Sequence, residues 1–163
     1  MTDSTKLGEG APDLIEPLVG FRSWRVERGA LVSTYTPVVW REAVMCAQCL
    51  AGRGHRAPHP SCGCGLSAYR EPQTRFATVD FRGVSGIVSL WGRLQAHRDH
   101  VRAEYARVEA LALYAGWSGR QRAAVTSIAR QLGADLVDLW EQRKAADAYG
   151  TALRPLSGSA TVP

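Results

Sequence analysis

Gly92-Arg93-Leu94-Gln95-Ala96-His97-Arg98-Asp99-His100-Val101-Arg102-Ala103-Glu104-Tyr105 can fold back on itself in one register. With Arg98-Asp99 as a two-residue turn, Ala96–Val101, Leu94–Ala103 and Gly92–Tyr105 fall on one face, all apolar. His97–His100, Gln95–Arg102 and Arg93–Glu104 fall on the other, all polar and ending in an opposite-charge pair. One register sorting both faces at once is what a half-buried hairpin requires. Val101, Tyr105, Val108 and Ala112 also fit a helix over 97–115. Gly83, Gly86 and Gly92, with Ile87 and Val88, make the preceding segment a poor helix and favour the hairpin.

Upstream, Phe21–Glu27 alternates large and polar residues and reads as a strand. Ala30–Thr36, beyond Arg28-Gly29, reads as its hairpin partner, and Pro37 breaks it. Downstream, Ser118 caps a helix whose Val125, Ile128, Ala129 and Leu132 share a face and which Gly133 ends. Asp135–Ala148 is a second helix candidate with Leu136, Leu139 and Trp140 inward. Residues 1–16 read as a flexible arm, 17–150 as one domain, and 151–163 as a disordered tail. The expected class is α+β: a small bent antiparallel sheet with a zinc knuckle in one connection and C-terminal helices packed on it.

The knuckle is the chemistry the sequence states most directly. All four cysteines fall between Cys46-Ala47-Gln48-Cys49 and Cys62-Gly63-Cys64-Gly65, and His55 and His59 lie between the pairs. Thiolates this close in sequence can approach one tetrahedral metal from tight turns. The glycines let the backbone curl beneath it. Clustered cysteines in a reducing cytosol favour metal over disulfides. The ligand set favours one structural zinc over an iron–sulfur cluster. Four thiolates are the plain choice, with His55 and His59 as alternatives.

A chain of 163 residues with net charge +5 is too weakly basic for a dedicated nucleic-acid binder. Of its 20 Lys and Arg, only Lys6 and Lys144 are lysines. Positive charge gathers around the cysteines as Arg41, Arg53, Arg56, Arg70 and Arg75, candidates for contacting phosphate or an acidic partner. No apolar run is long enough to span a membrane, and no leader pattern opens the chain, so a cytoplasmic protein is expected. Nucleotide-binding loops, metalloprotease and hydrolase signatures are absent.

The stretch His55-Arg56-Ala57-Pro58-His59-Pro60-Ser61-Cys62-Gly63-Cys64-Gly65-Leu66-Ser67-Ala68 resembles an "H-x-A-P-x-x-x-C-x-C-G-x-x-A" signature. That signature belongs to small uncharacterised actinobacterial and actinophage proteins. Gly20–Val26 resembles their "G-x-R-x-W-x-V" strand, Gly86–His97 their "G-x-V-x-L-W-G-x-V-x-x-H" strand, and Arg102–Ala106 their "R-A-E-x-A" strand. The resemblance implies Cys49, His55, Cys62 and Cys64 as ligands, with Cys46 outside the pattern. It brings no established activity.

The functional expectation is a zinc-stabilised, non-enzymatic binding or adaptor module. Its partner would be a protein or nucleic acid met through the Arg-rich zinc region, with no membrane and no small-molecule substrate. One alternative is a small metal-dependent hydrolase or nuclease using the His97–His100 turn. Another is a helix-turn-helix-like DNA binder over 120–144, although Asp135, Asp138 and Glu141 would repel phosphate there.

Overall fold

The computed structural model describes residues 16–80 and 82–155. Its spine is the expected hairpin, extended to fourteen residues a side: β6 (Gly83–Ala96) and β7 (His100–Leu113). Leu94↔Ala103, Gln95↔Arg102 and Ala96↔Val101 pair as the sequence predicts. The register then slips, so that Trp91, not Gly92, lies opposite Tyr105. Gly92 and Arg93 together face Glu104, with Gly92 at φ +79°. This is a bulge of the kind that glycine makes possible. A second irregularity falls between Ile87 and Val88. The pair of bulges bends the hairpin, because an extra residue on one strand increases local twist. The predicted apolar face divides at the tip: Val101 and Ala103 are buried, but Leu94 and Ala96 stand in solvent.

β1 (Leu18–Glu27) runs antiparallel to the first half of β6, from Leu18↔Leu90 to Arg25↔Gly83. It turns through Arg28 and Gly29, both at positive φ, into β2 (Ala30–Ser33). That is the backbone signature of a two-residue hairpin turn matched to strand twist. β3 (Val39–Trp40) pairs with β2. β4 (Val44–Cys46) and β5 (Leu66–Tyr69) both lie along β7, and β5 also meets β1 at Phe21↔Tyr69. The path β1–β6–β7–β5–β1 therefore closes on itself. The sheet has nine strands among the described residues and is mostly antiparallel.

The core sits within this curl. Trp24 and Trp40 meet edge-on at 5.4 Å, surrounded by Leu31, Val84, Val88, Leu90, Val108 and Leu111. Helix α2 (Gly119–Leu132) adds Val125, Ile128, Ala129 and Leu132, the face read from the sequence. Its N-terminus is a capping box between Ser118 and Gln121. At its C-terminus Gly133 is left-handed, and Ala134 N–H reaches back to Ala129 O at 2.9 Å. The opposite face of the sheet buries Val19, Phe21, Ile87 and Ala110 against Ala146. That alanine belongs to the short α3 (Gln142–Ala146). Another short helix, α1 (Thr74–Val79), leads into β6.

Two expectations are corrected here. Asp135–Ala148 is not one helix. Asp135–Asp138 is β8, parallel to β7, and helix resumes only at Gln142. Leu139 is buried, but Trp140 is 64% exposed and Leu136 41%. The turn at Gly133 delivers the chain to the edge of β7, and unpaired strand hydrogen-bonding groups there override local helix propensity. The first residues of the expected tail are also part of the fold. Thr151–Ala152 forms β9, parallel to β1, and Leu153 is buried. Residues 156–163 of the expected tail, and residues 1–15 of the expected arm, lie outside the described residues.

Candidate metal centre

β7 builds the metal-binding loop from both ends. Cys46, the last residue of β4, is opposite Tyr105, and Leu66, the first of β5, is opposite Ala103. The loop 47–65 therefore leaves and rejoins the same strand edge around Glu104. Ala47 N–H bonds Glu104 O at 2.7 Å. A tight turn follows Cys49, with Gly52 N–H on Cys49 O at 3.2 Å. Another precedes Cys62, whose N–H meets His59 O at 3.0 Å. Gly65 re-enters the sheet at φ +122°. A Cβ there would sit 3.0 Å from both the Pro58 and Arg102 Cβ atoms.

The outcome is a four-group cluster. The ligand atoms of Cys49, His55, Cys62 and Cys64 all lie within 4.8 Å of one another. Cys49 Sγ and Cys62 Sγ are 3.8 Å apart, and His55 Nε2 is 3.3 Å from Cys64 Sγ. A tetrahedral ion with metal–sulfur bonds of about 2.3 Å separates its sulfurs by about 3.8 Å. The sulfurs are thus spaced for coordination. All four cysteines are free thiols. The donor set and its spacing fit a metal ion.

The local electrostatics suit ligands. The Arg53 backbone N–H, against partial burial and with help from Ala51 N–H and the neighbouring thiols, lowers the Cys49 pKa and favours thiolate. Burial raises that of Cys64, and the Cys62 thiol adds to the shift. Such a thiol gives up its proton when a cation arrives. Burial, with the charges of His59 and Arg53, lowers His55 and keeps its imidazole neutral, the form that binds metal.

Cys46 and His59 stay outside the cluster. Cys46 is exposed, its Sγ 3.8 Å from Ala47 O. His59 stacks on His55 at 4.3 Å, and its Nδ1 faces the Ser61 hydroxyl at 2.9 Å.

The arginines expected to form one basic face divide by role. Arg56 pairs with Glu104, a buried carboxylate that also accepts Arg93 N–H at 3.2 Å. Arg70 is spent on the backbone oxygens of Arg98, His97 and Arg154. Arg41, Arg53 and Arg75 are exposed.

Glu104 and Arg102 are the positioning residues that sequence reasoning missed. It assigned Glu104 to a cross-strand pair with Arg93. Instead the bulge brings the Arg93 backbone to Glu104, while Arg56 arrives from the loop. Arg102 donates to Cys62 O at 3.2 Å and pins the second half of the loop. The slip at Gly92 was the only signal available for this, and it is visible only in the pairing.

A concavity of 590 Å³ opens beside the centre, walled by Cys46–Ala51, Arg53, Ser61–Leu66 and Arg22. Among the described residues no Asp or Glu lines it. Glu104 borders the centre from another side, already bonded to Arg56. The turn histidines stack on each other at 4.5 Å, and His100 Nδ1 bonds Asp99 at 2.7 Å. Among the described residues no helix is long and apolar enough to cross a membrane. No protein family model, curated protein or solved structure matches this chain.

Proposed function

We propose that the chain is a non-enzymatic binding module stabilised by one structural zinc on Cys49, His55, Cys62 and Cys64. The carrying observation is the donor set: three sulfurs and one imidazole nitrogen lie within 4.8 Å of one another, and four such ligands would fill a tetrahedral zinc's coordination. Catalytic zinc keeps such a position and has a free general base near it. Here the bordering carboxylate is held by Arg56 and Arg93. Borderline-soft zinc suits a mixed thiolate and imidazole set. The metal holds a nineteen-residue loop, 47–65, in which only Ala57 and Pro58 are buried. The partner, a protein or a nucleic acid, would be met through the loop and the exposed Arg41, Arg53 and Arg75.

β8 stands where the second helix of a helix-turn-helix would be, which removes support from that DNA-reading alternative. The hydrolase alternative lacks a nucleophile bonded to either turn histidine among the described residues.

Capture of partners from lysate on the metal-loaded chain, with and without nuclease, tests the module reading. Specific capture in either arm supports it. Metal-dependent hydrolysis of a broad ester and phosphodiester panel, lost in Cys62→Ser, would overturn it.

A further inference from the structure

Arg22 is a half-buried cation with no anion beside it among the described residues. It lies on β1, with its guanidinium 4.9 Å from the Trp40 ring. Its hydrogen bonds go to neutral acceptors: Nη1 to Ser67 O at 2.6 Å and Nη2 to Ser33 Oγ at 3.0 Å. Its Nε has no partner among the described residues. Burial lowers its pKa to about 10, so it remains charged at neutral pH. A guanidinium drawn partly out of water, its Nε fully so, is costly without a counter-charge, and proteins normally pair one.

Arg22 lines a second concavity, of 340 Å³, opening between the β2 end and the β5–β7 edge. Arg102 and His100 share the wall, as do Ser23, Ser33, Ser67 and Tyr69. Among the described residues no Asp or Glu lines it, although Asp99 bonds His100 at the turn. The hydroxyls are short of acceptors. Ser33 Oγ already accepts from Trp40 Nε1 at 3.0 Å and from Arg22, so both lone pairs are engaged and its proton is left to donate. Ser23 Oγ is buried and unpartnered. The wall offers two guanidinium groups and spare hydroxyl donors, with no carboxylate among the described residues to neutralise them.

We infer that this concavity is a binding site for a phosphate group, carried by a free nucleotide or by a nucleic-acid strand. A tetrahedral anion with several acceptor oxygens satisfies convergent donors that one carboxylate could not. The site lies beside the metal loop, since Gly63 and Gly65 also line it and Arg102 bonds Cys62 O. The zinc thus sets the position of one wall. This inference deepens the module reading and rests on it.

The test is an amide NMR titration of the full, metal-loaded chain with inorganic phosphate, against sodium chloride at matched ionic strength. Adenosine monophosphate and a short single-stranded oligonucleotide form the further arms. Saturating shifts at Ser33, Gly63, Gly65 and Arg102 are expected. Arg102→Gln should weaken binding by about tenfold, the loss of one charge-assisted bond. Exposed Arg120→Gln, away from the concavity, should leave it unchanged. Arg22→Gln sits against the core, so the wild-type titration and Arg102→Gln carry the decision. Saturation by the monophosphate assigns a free nucleotide; tighter binding of the oligonucleotide assigns a strand. Shifts no different from chloride, or confined to exposed arginines, would overturn the site. If partner capture persisted in that case, the module reading would stand alone.

Discussion

At the scale of single residues, the centre turns on which side chains point inward. The cysteine spacing made a metal loop legible, but not its fourth ligand. Cys46-x-x-Cys49 reads as a knuckle on paper, yet Cys46 is held at the end of β4, opposite Tyr105, and cannot turn in with Cys49. Cys46→Ser should therefore retain about one equivalent of zinc by elemental analysis. His55→Ala should lose it or bind at least about tenfold more weakly in a chelator competition. The reverse pattern would restore a four-thiolate site.

Glu104 makes a second residue-scale prediction. Burial alone would raise its pKa, but the Arg56 hydrogen bond, Arg93 N–H and the two charges together bring it below the ordinary 4.5. A carboxyl with a depressed folded pKa contributes stability above its unfolded value and loses it as pH falls through the folded one. Glu104→Gln should therefore cost about 1–3 kcal/mol near neutrality. In denaturant titrations, the gap between variant and wild type should narrow below pH 4.5. A gap constant from pH 7 to 3 would show that the charge is not what matters.

At the scale of elements, what was legible had local causes. Ser118, Gln121 and Gly133 define α2 through their own capping bonds, and Arg28-Gly29 defines the β1–β2 turn. The β6–β7 register near the turn followed from face sorting. What escaped depended on distant partners. β8 and β9 are short, parallel edge pairings made by segments with little strand character of their own. The bulge at Gly92 follows from packing against Glu104 and Tyr105. Gly92→Ala should destabilise by about 1–3 kcal/mol, because φ +79° strains any Cβ. That Cβ would also meet Tyr105 Cδ2 at 2.8 Å. Ser118→Ala, which removes only a cap, should cost about 1 kcal/mol. Thermal denaturation that ranks the two in the opposite order would place the strain elsewhere.

At the scale of the whole molecule, the sequence disclosed an α+β chain with a mostly antiparallel sheet but not its closure, since β5 joins β1 and β7 through pairings distant in sequence, Phe21↔Tyr69 and Leu66↔Ala103 among them. Charge clustering in sequence also does not disclose which arginines have partners: Arg56 pairs with Glu104, and Arg70 bonds backbone oxygens. The metal loop has little apolar anchorage, so its order should depend on the ion, as metal binding and folding free energy are linked. Cys62→Ser should destabilise by more than about 4 kcal/mol, the range that loss of a metal site reaches. An unchanged melting transition in that variant would make the loop a passive appendage. The central claim, a closed structural centre in a binding module, is tested most directly by zinc X-ray absorption on the protein as purified. The account predicts one zinc per chain with three sulfurs at about 2.3 Å and one nitrogen at about 2.0 Å. A first shell containing a water oxygen, or fewer than three sulfurs, would contradict it.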